Sequence, residues 1–241
     1  TLAIYLFFRG YRAEDKRTIS YLLMYAAVGM GVLTMGPVNL VIPGLVIFFT
    51  LTLMKNLKHI LKMKVVLGIV ILSAITLPWY VLVGLKGEYG SELLITTNIL
   101  RYFTALHHAE PFYYYLKDLP WAFFPWSLFL PSAFILTFSK RSEIDKESLR
   151  FILIWVIALF IFFSISRGKR PQYILSIYPA LALLVGYLGD QAVQLWQDKY
   201  YQKAIIIPSL VFLGLIVLLA IAAPVVTGIY FKQWLNLAIG I

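Results

Sequence analysis

The chain has 241 residues, of which 61% are hydrophobic and 13% charged, with a mean hydropathy of +0.84 and a net charge of +10. Soluble domains are roughly 45–50% apolar, so this composition excludes one and predicts an all-α polytopic transmembrane helix bundle. Without cysteine there are no disulfides, thiolate nucleophiles or Cys-ligated metals, and the basic residues sit in short loops between apolar runs, a juxtamembrane pattern and not one that binds nucleic acid.

In chain order, "TLAIYLFF" comes first. It is apolar but too short to cross a bilayer, and it runs into Arg9. With no charged lead, apolar middle and cleavage site it is not a signal peptide, and it reads as the end of an earlier helix in a longer protein. Seven apolar segments follow, near 19–36, 38–54, 65–85, 119–138, 151–166, 172–189 and 204–223; each is expected to span the membrane as a helix.

Two connections carry most of the information. In 86–118, "ELLITTNILRYF" places Leu93, Leu94, Ile99, Leu100 and Phe103 at roughly helical spacing, which predicts a helix lying in the interface with Asn98 and Arg101 on or near its polar side. His107, His108 and Glu110 come next. Such a group can bind a divalent metal or exchange protons, although neighbouring helical positions point about 100° apart and both histidines would reach one ion only from a loop. Ordinary interfacial histidines are the commoner case. Phe112, Tyr113, Tyr114 and Tyr115 then form an aromatic run of the kind found at head-group depth, and such rings also stack on sugar faces.

The second connection is "SRGKRPQY". Alternate loops at 9–18, 55–64, 139–150 and 190–203 hold two-thirds of the 21 lysines and arginines, which makes them the cytoplasmic set. Arg167, Lys169 and Arg170 fall on the other side, where topology disfavours positive charge. An anionic ligand at the outer surface accounts for them, and so do anionic lipid head groups or the helix C-terminus just before them.

These words carry a resemblance. "LTMGPVNLVIPG", "LPWY", "NILRYFTALHHAEPFYYYL", "FPWSLFLP" and "GKRPQYILSIYPALALL" are similar, in order and spacing, to GT-C glycosyltransferases of the aminoarabinose-transferase and protein O-mannosyltransferase type. The last word is the most specific, with Gly168, Lys169, Pro171, Tyr173, Tyr178, Pro179 and Ala182 at matching positions. The resemblance implies that residues 1–241 are the C-terminal part of one GT-C transmembrane domain, in the inner membrane, with its active site on the outer face. It implies an enzyme that takes a sugar from a polyprenyl-phosphate carrier and passes it to an acceptor, whether a lipid A-like glycolipid, a glycan or a protein hydroxyl.

By the same resemblance Lys169 and Arg101 are the donor-phosphate contacts, with Arg167, Arg170 and Tyr173 as further candidates and His108 as a candidate metal or structural residue. A divalent cofactor stays open. The chain departs from the family at Met35, where a lysine commonly precedes the Gly-Pro pair; either that charge is unimportant or it has moved to Arg167 and Arg170. The catalytic carboxylate of these families lies in a first outer loop that is absent here, so no base is assigned among Glu88, Glu92, Glu110 and Asp118, and the chain alone is expected to be inactive. Two other classes fit the same loops: a transporter or flippase of lipid-linked sugars, and a noncatalytic membrane subunit. Ion-coupled transport fits poorly with spans that carry no charge inside them.

Overall fold

The structure is a computed structural model and describes residues 1–13, 15–85, 110–138 and 144–239. Among these residues all regular structure is helical. The first helices are α1 (Leu2–Arg12), α2 (Arg17–Met35), α3 (Val38–Leu53), a 3₁₀ turn (Leu57–Met63) and α4 (Val65–Gly84). Beyond the undescribed stretch lie α5 (Tyr114–Ala122), a 3₁₀ turn (Trp126–Phe129), α6 (Leu130–Phe138), α7 (Lys146–Ile165), a 3₁₀ turn (Pro171–Ser176), α8 (Tyr178–Gln194) and α9 (Lys199–Ile239). The chain forms two compact units, one of residues 1–122 and 144–183 and one of residues 123–143 and 184–241.

In the first unit α2 is the central helix, packed along both α1 and α4, while α3 packs on α7. The α1 face that carries Ile4, Leu6 and Phe7 is buried. Phe8 stacks on Phe151 of α7 with ring centroids 4.1 Å apart. The contact between α2 and α4 depends on a missing side chain: a Cβ at Gly68 would overlap the ring of Tyr25. Gly36 closes α2 with φ 80° and ψ −169°, a region essentially confined to glycine. Its N–H still bonds the Val32 carbonyl at 2.9 Å. Pro37 then opens α3 with its fixed φ, so "MGPVN" reverses the chain between two membrane helices within two residues.

Outside this core the helices are apolar where they are exposed. On α4, Val66, Ile69, Val70, Leu77 and Leu82 all lie more than half exposed, a surface that only lipid or other helices would cover. Every segment read as a span contains helix. By length and composition, four described helices can cross a membrane alone, namely α2, α4, α7 and α9, or five if α5 and the 126–138 stretch count as one broken span. The remaining segments read as spans are shorter or interrupted, for specific reasons. With 16 residues α3 is short; at roughly 1.5 Å per residue it covers about 24 Å of a ~30 Å hydrocarbon layer. The 119–138 segment stops at Ala122 and resumes at Trp126, because Pro125 lacks an N–H and pushes Phe124 away from helical geometry. The 172–189 segment starts as a 3₁₀ turn at Pro171 and becomes α-helical only at Tyr178. The predicted interfacial helix falls outside the described residues.

In the second unit, α9 packs on the 126–129 turn and on α6. Phe212 of α9 meets Phe124 with centroids 5.6 Å apart, and Ala133 and Leu136 of α6 are fully buried.

Candidate functional site

Within the first unit, the polar end of α7 meets the segment that leads into α5. The helix ends at Ile165, and Ser166 turns the chain out with φ −56° and ψ 136°. Its hydroxyl donates to the Gly168 carbonyl at 3.1 Å, which closes a tight loop. Pro171 then starts the 3₁₀ turn. That turn is tied back to α7, where Trp155 Nε1 donates to the Ser176 carbonyl at 3.0 Å.

The loop turns Lys169 inward. The side chain is 4% exposed, and Nζ donates to the Ser166 carbonyl at 2.5 Å and to the Glu110 carbonyl at 3.1 Å. Burial holds the ammonium below the usual lysine range, and the nearby Glu110 carboxylate partly offsets this. An ammonium has three donors. Two of them clasp main-chain oxygens, and among the described residues the third has no partner.

Two hollows share Lys169 and Glu110 as a common wall. The larger, about 670 Å³, is lined by Phe112, Leu116, Phe160, Ile161 and Ile165, with Ser164, Ser166 and Arg167 beside the lysine. The Ser164 hydroxyl oxygen is buried and has no hydrogen-bond partner among the described residues. The smaller, about 390 Å³, is lined by Glu110, Tyr114, Lys169, Arg170, Pro171 and Gln172. An apolar groove and a polar cup thus flank one buried cation.

Of the residues singled out from the sequence, Lys169, Arg167 and Arg170 come together here in different environments: Lys169 buried, Arg167 exposed on the apolar groove, Arg170 half-buried on the polar cup. Tyr173 lies one step behind them, its ring stacked on Phe163 with centroids 5.6 Å apart and planes 23° from parallel. Arg101 and His108 lie outside the described residues. Among the described residues no group of three or more His, Asp or Glu side chains is placed to hold a metal ion.

Sequence reasoning missed Tyr115. The aromatic run suggested head-group anchors, and Phe112 does lie 75% exposed, but Tyr115 is fully buried. Its hydroxyl donates to the Arg170 carbonyl at 3.1 Å and accepts from the Arg170 N–H at 3.2 Å. No local signal separates it from Tyr113 and Tyr114.

No family model matches the chain. It is 32% identical over 235 residues to an uncharacterized protein of Aquifex aeolicus, a match covering 96% of this chain and 43% of that protein. It is 28% identical over 248 residues to the undecaprenyl phosphate-alpha-4-amino-4-deoxy-L-arabinose arabinosyl transferase of Serratia proteamaculans, covering 100% of this chain and 44% of that enzyme. Among solved structures it resembles the crystal structure of ArnT from Cupriavidus metallidurans bound to undecaprenyl phosphate, with a TM-score of 0.72 and 26% identity over 87% of this chain and 38% of that one. The same protein in its apo state gives a TM-score of 0.66 at 25% identity. The chain thus spans less than half the length of the relatives it matches.

Proposed function

We propose that this chain, related over most of its length to GT-C glycosyltransferases of the aminoarabinose-transferase type, forms the donor-lipid side of a membrane enzyme that moves a sugar from a polyprenyl phosphate to an acceptor. The observation that carries the reading is the buried Lys169 standing between an apolar groove and a polar cup. A polyprenyl-phosphate sugar has the same three parts in the same order: an isoprenoid tail, a phosphate and a sugar. The tail suits Phe112, Leu116, Phe160, Ile161 and Ile165. The phosphate suits the third Lys169 donor, with Arg167 beside it and Ser164 O–H within the groove wall. The sugar suits the cup of Glu110, Tyr114, Arg170 and Gln172.

In the reaction the bond between the anomeric carbon and the phosphate oxygen breaks while an acceptor oxygen attacks that carbon, and the acceptor proton passes to a base outside this chain's assigned residues. Negative charge grows on the departing phosphate. A fixed cation in a site screened from water stabilises that charge more in the transition state than in the bound substrate. Arg101, matched by resemblance, is proposed as a second phosphate contact and His108 as a loop residue able to hold a metal. The relatives' names point to undecaprenyl phosphate as the carrier; for the acceptor we propose a lipid A-like glycolipid, a glycan or a protein hydroxyl, and for the site the outer face of the inner membrane.

The test is binding of undecaprenyl phosphate to the full-length protein in detergent, wild type against Lys169→Ala, with undecaprenol as the phosphate-free control. Affinity for the phosphate lipid should fall at least about ten-fold while undecaprenol binding is kept. Equal binding of the phosphate lipid by both proteins would refute the assignment.

A further inference from the structure

We propose that Tyr115 is a positioning residue that sets the phosphate-side loop in its working shape by acting as a substitute for a neighbouring strand. This rests on the donor-site reading given above and adds to it a residue that touches no ligand. Arg170 is extended, with φ −136° and ψ 142°. In that conformation the N–H and C=O of one residue point to the same side, the arrangement through which paired antiparallel residues exchange two hydrogen bonds. Among the described residues no strand pairs with Arg170 to receive them. The Tyr115 hydroxyl takes both, accepting from Arg170 N–H at 3.2 Å and donating to Arg170 C=O at 3.1 Å.

The consequences run in both directions along the chain. Before Arg170 stands Lys169, whose ammonium reaches the Glu110 carbonyl at 3.1 Å, so the 110–115 segment grips the loop twice, once through each partner. After it, the same Arg170 carbonyl also accepts from Tyr173 N–H at 3.1 Å, which starts the 3₁₀ turn. The rings continue the connection. Tyr115 meets Phe163 edge to face with centroids 6.4 Å apart, and Phe163 stacks on Tyr173. Tyr115 is therefore linked, through the Arg170 main chain on one side and through Phe163 on the other, to Lys169 and Tyr173, two of the residues that the resemblance singles out.

Tyr115→Phe removes the hydroxyl and keeps the ring and its packing. In the full-length protein it should lower affinity for undecaprenyl phosphate about ten-fold, the weight of one well-made hydrogen bond or a little more, and leave affinity for undecaprenol unchanged. A purely structural tyrosine would lower both together or neither, and either result overturns the proposal. Lys169→Ala measured in parallel separates the two layers. If it loses phosphate affinity and Tyr115→Phe does not, the positioning role falls and the donor site stands; if neither variant changes phosphate affinity, both fall.

Discussion

Tyr21 and His59, 38 positions apart, meet hydroxyl to Nε2 at 2.5 Å in a buried contact. His59 is 5% exposed, with the Tyr11 ring 4.7 Å from its own and Asn56 donating to the Tyr11 hydroxyl at 3.2 Å. Burial is the largest cause holding its pKa below the ordinary 6.5, followed by the positive charges of Arg17 and Lys62. The folded protein therefore binds fewer protons here than the unfolded chain. Stability from the neutral ring is complete above pH 6.5 and is lost as pH falls through the lower folded value. The detergent melting temperature should drop between pH 7 and pH 5, and the slope should flatten in His59→Gln. Parallel curves for the two proteins would exclude His59 as the titrating group.

Lys169 makes the opposite prediction for ligand binding. Its ammonium is held below the lysine range by burial, so it gives up its charge earlier than a surface lysine as pH rises. A phosphate monoester is already close to dianionic above pH 7, so an alkaline loss of undecaprenyl phosphate binding reports the cation. That loss should begin below pH 10.5 and move upward in Lys169→Arg, which keeps its charge. An alkaline limb identical in both proteins would assign it to another group.

Gly36 stands in a backbone region where any Cβ is strained, at a cost on the order of 1–3 kcal/mol. Gly44 has no heavy atom within 4 Å of where its Cβ would stand, and it lies inside α3, where alanine is the better helix former. Gly36→Ala should lower the melting temperature by several degrees, whereas Gly44→Ala should leave it unchanged or raise it. Equal effects would mean that the turn after α2 tolerates strain.

Ile161 lies on the wall of the apolar groove and is 51% exposed. Ile161→Trp should fill part of the groove and weaken undecaprenyl phosphate several-fold, with little effect on a short-chain isoprenyl phosphate that places only its head group at Lys169. Equal losses for both lipids would show that the tail lies elsewhere.

The helices were legible because apolar runs bounded by charges leave a membrane chain few alternatives. Their interruptions were less so. Pro125 ends a helix that hydropathy alone carries through, and Pro171 begins a turn that hydropathy reads as a span. At the site, Lys169 stood out as a charge on the disfavoured side. Its burial did not, because two of its partners are carbonyl oxygens, and every residue carries one. Tyr115 was hidden for a related reason: its partner is the backbone of Arg170, 55 positions away, and neither spacing nor residue type records that pairing.

The clasp around the loop is made almost wholly to main chain. Lys169 reaches the carbonyls of Ser166 and Glu110, and Tyr115 reaches the N–H and carbonyl of Arg170. Positions 110 and 170 can therefore change their side chains over evolutionary time without loosening it, with proline at 170 as the exception because it has no N–H to give, whereas Ser166 also closes the loop through its hydroxyl. Two residues carry the attachment and meet only backbone at 110 and 170. A descendant of this protein could retune the surroundings of its carrier lipid, exchanging acid for amide or arginine for a neutral residue, while the peptide scaffold beneath stays as it is.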